Sequence, residues 1–330
     1  MKEIKKYSDH RPAAKLRMNA LDTGVILPHG NGTDQCDVLG AREALIFEEE
    51  GLFHLFYDGA GAQGWLACLA VSSDLKKWEK RGAILDFGEP RHADSAAACS
   101  PWVFKEAGEW HMFYLGAANA TAAPDYVPAI PYQTLKAKAV SLGGPWVKQL
   151  DVVPFQVKAG TYYDETASPG SVIKHQGEYI QIISTAKSEG GKLFRTLSRA
   201  RCNDLNGPWK IDTQPMLPIT EQIENSGLYY EESNRTWFLF TNHVGIERDL
   251  EFTDAIWVYW TKDFENWNPE SKAIVLDEEN CGWSKKSIGM PSVIKVGDRL
   301  ALFYDAPGGD SMSHMHRDIA MAWLDLPLML

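Results

Sequence analysis

Cysteine is scarce in this chain: five among 330 residues, an odd number, widely separated and never in a C-x-x-C pair. That spacing excludes a disulfide framework and a thiolate zinc cluster. It leaves Cys36, Cys68, Cys99, Cys202 and Cys281 as buried thiols of a reducing compartment. Apolar runs of about 18 residues are missing too, so no membrane-spanning helix is expected. The N-terminal stretch MKEIKKYSDHRPAAKLRMNALDTG is basic but lacks the apolar segment of a signal peptide, which makes a cytoplasmic location the expectation. Positive charge is in deficit, with 33 Lys and Arg against 44 Asp and Glu and a net charge of −11. No basic run is longer than Lys76-Lys77 or Lys285-Lys286, so nucleic acid is not an expected partner.

Repetition fills the space these absences leave. A phrase of apolar strand, glycine or asparagine turn and aromatic-rich strand occurs five times: ALIFEEEGLFHLFYDG from Ala44, PWVFKEAGEWHMFYLG from Pro101, GSVIKHQGEYIQIIST from Gly170, GLYYEESNRTWFLFTN from Gly227 and PSVIKVGDRLALFYDA from Pro291. Each reads as two short strands joined as a hairpin. Four of the hairpins are followed by an alternating strand and then a tryptophan, at Trp78, Trp146, Trp209 and Trp267. Four strands per unit, with units about 60 residues apart, is the arithmetic of a propeller blade. The fifth unit stops at RDIAMAWLDLP without an outer strand, while ALDTGVILPHG from Ala20 looks like the outer-strand segment GAILDFG. The expected fold is therefore all-β: a five-bladed β-propeller of four-stranded antiparallel blades, with residues 1–330 as a single domain. Residues 20–27 would complete the last blade and close the ring, covering an open sheet edge. The repeated tryptophans read as core between blades. A β-sandwich accounts for short strands but not for a fivefold repeat.

In a propeller the first strand of each blade lines the central channel, so polar residues that open those strands converge. Arg42 and Glu43 open the first blade, Tyr162-Tyr163-Asp164-Glu165 precedes the third, and Gln222-Ile223-Glu224-Asn225 opens the fourth. Asp94 lies upstream of Cys99-Ser100-Pro101 in the second, and no acid stands at Met290-Pro291 in the fifth. Glycoside hydrolysis uses such a set: a base or nucleophile, an acid held protonated, and a third carboxylate that tunes the acid. Here the chain resembles the five-bladed glycoside hydrolases of family 43, related to families 32, 68 and 117. The best-matched segment is IENSGLYYEESNRTWFLFTN, similar to the family's Glu-x-x-x-apolar-Tyr opening of blade four. The resemblance implies Glu224 as general acid, with Glu221 as its local rival, and Asp164 as the tuning carboxylate. It implies a base at Glu43 or Asp37, because Glu43 stands where the family has aspartate and Asp37 lies just upstream. The third-blade pattern departs as well: the family aspartate directly precedes a proline, and this chain has Ser168-Pro169 there.

Substrate contacts are expected from Arg42, Asp94, Trp102, His243, Asp305, His316 and Arg317, all near strand ends. In the run DSMSHMHRD, His314 and His316 alternate, which on a strand would put both side chains on one face. The insertion Ala117 to Gln133, rich in Ala, Pro and Tyr, is placed to overhang the pocket, and Trp65, Tyr126, Tyr132, Tyr162, Tyr163 and Trp283 are available to form a rim. No D-x-D-x-D-G loop is present and no metal ligand is assigned. Calcium, or another divalent cation in the central channel, is a feature only the resemblance implies. The expected function is an exo-acting glycosidase of arabinofuranosidase, xylosidase or galactofuranosidase type. Its partner would be an oligosaccharide or glycoside substrate, with neither nucleic acid nor membrane involved, and the sequence sets no oligomeric state. Two alternatives stay open. One is a glycoside phosphorylase whose phosphate is held by Arg42, His243, His316 and Arg317; the other is a non-catalytic carbohydrate-binding propeller.

Overall fold

The computed structural model describes residues 7–246 and 253–329. Within them regular structure is β-strand apart from two single-turn 3-10 helices, Thr33–Gln35 and Ile219–Glu221. No helix among the described residues is long and apolar enough to cross a membrane.

All five expected hairpins form, each as the first and second strands of an antiparallel meander. The first meander runs Gly40–Glu49, Leu52–Gly61, Gly64–Ser72 and Glu79–Ala83. Its hairpin reverses at Gly51, which at φ 79° adopts a conformation that side chains disfavour. The second runs Ala97–Glu106, Glu109–Ala117, Gln133–Ala139 and Val147–Lys148. The third has a first strand broken into Thr166–Ser168 and Val172–His175, followed by Glu178–Glu189, Lys192–Cys202 and Lys210–Ile211. The fourth runs Ile223–Glu231, Thr236–Val244, Thr253–Thr261 and Lys272–Leu276. The fifth has Gly289–Val296, Arg299–Ala306 and Asp318–Asp325. Its outer strand comes from the other end of the chain, Leu21–Leu27, antiparallel to Asp318–Asp325, as the sequence of residues 20–27 suggests.

Two pairings have no counterpart in the sequence pattern. Leu16–Arg17 lies parallel to Ala273 and Ile274 at the edge of the fourth meander. Trp65 and Leu66 pair in parallel with Ala97 and Ala98, so the first two meanders, with the short strand Phe155–Gln156 added beside Gln133–Ala139, form one nine-stranded sheet.

The repeated tryptophans pack between meanders. Trp146 meets Phe56 of the preceding meander edge-on at 6.3 Å, and Trp209 meets Phe113 in the same way at 5.4 Å. Trp78 of the first meander meets Phe303 of the fifth at 6.3 Å. Trp267 shares an apolar cluster with Ile182 of the third. Such aromatic pairs add about 0.5–1.5 kcal/mol each beyond the area they bury. The five cysteines are buried and free.

A second device recurs nearer the start of each meander. Four first strands carry a β-bulge, between Arg42 and Leu45, Cys99 and Trp102, Glu224 and Gly227, and Gly289 and Ser292. A bulge leaves one residue out of the ladder. Here those residues are left-handed: Glu43 at φ 51°, Ser100 at 47°, Asn225 at 59° and Met290 at 61°. Each N–H is taken by a side chain from the second strand of the preceding meander, always at the same register. Asp58 accepts from Ser100, Ser184 from Asn225 at 2.9 Å, Asn242 from Met290, and Asp305 of the fifth meander from Glu43 of the first at 2.9 Å. At the remaining junction Leu115 holds that register, and Thr134 Oγ1 donates to the Ala167 carbonyl instead, at 2.7 Å.

Replacing Asn242 with alanine removes the acceptor for the buried Met290 N–H. The free energy of unfolding in urea should fall by about 1–3 kcal/mol. A loss below about 0.5 kcal/mol would show the latch to be dispensable.

Candidate active site

The bulges carry acids to a shared centre. Glu43 is the bulge residue of the first meander, and Glu224 directly precedes the bulge residue of the fourth. Burial, reinforced by the charges of Asp305 and Glu224, lifts Glu43 from the ordinary glutamate value to about 7, against the pull of Arg42 and a hydrogen bond from Ser100. Ser100 Oγ donates to Glu43 Oε2 at 2.5 Å. Both Glu224 and Glu43 also act on the buried Tyr132 phenol, whose titration is pushed up chiefly by loss of solvent. Two carboxylates far apart in the sequence and one tyrosine therefore share one electrostatic neighbourhood.

Arginines surround the pair. Arg195, on the third meander, faces Glu224 with Nε 3.4 Å from Oε2. Arg42 is 1% exposed, donates to the His314 carbonyl at 3.1 Å, and lies over the Trp65 ring at 5.2 Å. Arg317 is fully buried, paired with Asp305 and donating to Ser287 Oγ at 2.7 Å. Burial depresses the His314 imidazole well below its usual range, and Arg42, Arg317 and Arg195 depress it further. The ring is neutral and sits 5.2 Å from that of Trp65. The insertion between the second and third strands of the second meander reaches over this region: Trp65 Nε1 donates to the Asp125 carbonyl at 2.9 Å, and Tyr132 OH to the Pro128 carbonyl at 3.0 Å.

Other residues singled out from the sequence lie apart. Asp37 is fully buried, with one oxygen accepting Gly32 N–H at 2.8 Å and the other held by Lys80 and, at 3.3 Å, the Tyr57 hydroxyl. Asp94 repeats that arrangement in the second meander, with Lys148 at 2.5 Å and Tyr114 at 2.9 Å. Glu221 repeats the chemistry in the fourth, with Lys272 at 2.6 Å and Tyr259 at 2.5 Å. All three carboxylates tie a loop to the strands behind it. Asp164 is partly exposed, and its Oδ1 makes no hydrogen bond. The charges that weigh most on Glu43 are those of Arg42, Asp305 and Glu224. Trp102 lies past the bulge, opposite Phe113. His243 is enclosed, stacked 3.7 Å from Trp257 and facing Arg11 at 3.4 Å, and burial pushes it down to about 4. His314 and His316 do not share a strand face. The segment is irregular, His316 is left-handed at φ 57°, and its exposed ring turns toward His29 at 5.6 Å while His314 points to Trp65. Of the four residues expected to hold a phosphate, Arg42 and Arg317 lie together beside Glu43, while His243 and His316 face elsewhere.

A calcium ion requires about six to eight oxygen ligands. Glu224 and Asp305 are paired with Arg195 and Arg317, Glu43 lies in the field of Arg42, and no group of three or more His, Cys, Asp or Glu suited to a metal is found among the described residues. The residues present do not fit a central cation. A cavity of 850 Å³ lies against the third meander, lined by Lys158, Tyr162, Tyr163, Lys187 and Lys210 among others, and shares no residue with the Glu43 neighbourhood.

The sequence marks Tyr132 only as a rim aromatic and Asp58 only as one of the hydrogen-bonding groups at strand ends, and it gives no site role to Arg195 or Ser100. Arg195 lies mid-strand, where no local pattern marks it. Ser100 and Glu43 share a position in their repeats, which an alignment anchored on the bulges would have shown.

No protein-family model matches the chain, and no curated protein is similar to it in sequence. Solved structures are similar in shape. A complex of BT0996 with RGII superposes with a TM-score of 0.71 at 13% identity, covering 92% of this chain and 91% of that one. A structure described as a glycoside hydrolase gives 0.69 at 13% identity, with coverage of 92% and 91%. A thermostable family-43 glycoside hydrolase gives 0.61 at 14% identity, with coverage of 89% and 91%. These likenesses establish an all-β fold of the propeller glycoside hydrolase kind, matching the resemblance read from the sequence.

The raised titration of Glu43 has a consequence for stability. Because its folded value lies above its ordinary one, its contribution favours folding fully below pH 4.5 and is lost as pH rises through about 7. Glu43→Gln is neutral throughout. Between pH 4.5 and pH 7 the variant should gain on the wild type by up to about 3 kcal/mol in denaturant unfolding. A difference independent of pH would contradict the assignment.

Proposed function

We propose that the chain is a glycoside hydrolase and that Glu43 and Glu224 are its catalytic pair. In this reading the five meanders are the blades of one single-domain propeller, closed by the N-terminal strand and by the Asp305–Glu43 latch. The observation that carries the proposal is the convergence of those two acids beneath Tyr132, with one of them desolvated to about 7. Glycoside hydrolysis requires one carboxyl that still holds a proton at working pH and one that is ionised. Glu43 meets the first requirement, and Glu224, facing Arg195, supplies the second.

This reverses the roles that the resemblance implies. Glu43 is the proton donor to the leaving oxygen, and Glu224 is the base or nucleophile on the other side of the sugar. Asp37, with both oxygens engaged by the framework, takes no part. Arg42, Arg195, Tyr132 and His314 offer hydrogen-bond donors to sugar hydroxyls, and the neutral imidazole of His314 offers an acceptor as well. Solved structures of the same shape include an α-L-arabinofuranosidase and an endo-arabinase. They support an arabinofuranoside, or a furanoside like it, as the first substrate to examine.

Aryl furanosides with good and poor leaving groups separate the roles. Glu43→Gln should lose about 100-fold or more in kcat on poor leaving groups and far less on dinitrophenyl glycosides, since those need no protonation. Glu224→Gln should lose activity on both. The opposite pattern would restore the roles implied by the resemblance. Full hydrolysis by both variants, or turnover only with phosphate present, would remove the hydrolase reading.

A further inference from the structure

A third carboxyl group reaches Glu43 through a hydroxyl. Asp58, on the strand Leu52–Gly61, is 1% exposed. Ser100 N–H donates to its Oδ1, and Ser100 Oγ lies 3.1 Å from its Oδ2. The same Oγ lies 2.5 Å from Glu43 Oε2. A serine hydroxyl has one hydrogen to give. It cannot satisfy two ionised carboxylates at once, so one of the two acids must donate to it.

Comparison with Asp305 indicates which. Asp58 and Asp305 hold the same register in their meanders, and each accepts the N–H of the next bulge. Asp305 is neutralised by a buried ion pair with Arg317. Asp58 has no ion pair among the described residues. The charges and titratable groups around it are Glu43, Arg42 and the thiols of Cys68 and Cys99. Nor does the latch need a charge, because Ser184 and Asn242 serve it elsewhere as neutral acceptors. A carboxyl buried without a counter-ion favours its neutral form. Burial accordingly raises Asp58 well above the carboxylate range, Glu43 adds to the effect, and the Ser100 bonds and Arg42 oppose it.

We propose that Asp58 holds a proton and donates it to Ser100 Oγ, turning the serine hydroxyl onto Glu43 Oε2 so that the proton of Glu43 resides on Oε1. This rests on the reading of Glu43 as the proton donor. Asp58 is then a positioning residue, and it takes the part of the third carboxylate that the resemblance implies for Asp164. Glu43 Oε1 makes no hydrogen bond with the described residues, which leaves it available to a leaving-group oxygen.

Asp58→Asn tests the proposal on the full chain. Its amide reproduces the protonated acid: Oδ1 accepts Ser100 N–H and Nδ2–H donates to Ser100 Oγ. The infrared spectrum of the wild type at neutral pH should contain a protonated-carboxyl stretch that Asp58→Asn removes. The titration of Glu43, read from its carboxyl carbon by NMR, should stay within about 0.3 pH units of the wild type, since no charge is lost. Glu43 should titrate higher in Ser100→Ala, which deletes the donor to its ionised form. If Asp58 were ionised, the infrared band would be unchanged in Asp58→Asn and Glu43 would titrate lower by about one unit. Either result overturns the proposal. Neither measurement requires turnover, so a wild type that hydrolyses no glycoside would count against the hydrolase reading alone.

Discussion

One hydrogen bond, repeated around the molecule, organises both the fold and its centre: the N–H of a left-handed bulge residue held by a side chain of the preceding meander. A bulge by itself is costly, because it leaves a buried backbone donor outside the ladder and puts a non-glycine residue at positive φ. The latch offsets that cost only if the neighbouring meander sits in one register. Four junctions use it, and the acceptor changes among Asp, Ser and Asn while its position does not. The junction of the fifth meander with the first is one of the four, so the two ends of the repeat are tied by the same bond that joins the middle.

The latch also explains why chemistry gathers at the bulges. A bulge turns side chains out of the alternation that would bury them between sheets. In the first meander the residue so turned is Glu43, and in the second it is Ser100. In the fourth, the residue beside the bulge is Glu224. The acceptors behind them differ in consequence. Asp305 brings Arg317 with it and keeps its charge paired, whereas Asp58 brings no counter-ion among the described residues and shares Ser100 with Glu43. One structural position thus yields an ion pair at one junction and a carboxyl, serine and carboxyl chain at another.

Much of the fold was legible because hairpins and core tryptophans are local signals. Alternation, turn glycines and the spacing of Trp78, Trp146, Trp209 and Trp267 repeat within short windows, and even the outer strand at residues 20–27 betrayed itself by likeness to its counterparts. The parallel joins at Leu16–Arg17 and Trp65–Leu66 were not legible, since two-residue pairings leave no periodic trace. The convergence of Glu43 and Glu224 was legible in their place at strand starts. The framework contacts of Asp37 were not legible: proximity in sequence to Glu43 says nothing about Lys80 and Tyr57, which come from later strands and hold one of its oxygens. His314 and His316 misled for a different reason, because their alternation implies a shared face only on a strand, and this segment is not one. The contacts of Arg195 with Glu224 and of Asp58 with Ser100 join residues distant in sequence, and single-sequence patterns carry no such information.

The account depends on Glu43 keeping a proton where an ordinary glutamate would have lost it. Carbon-13 labelling of glutamate side chains, with Glu43→Gln to assign the resonance, allows its carboxyl to be titrated directly by NMR. The structure predicts a midpoint of about 7 for Glu43. A midpoint at the ordinary glutamate value of 4.5 would contradict it, and would return Glu43 to the role of an ionised base.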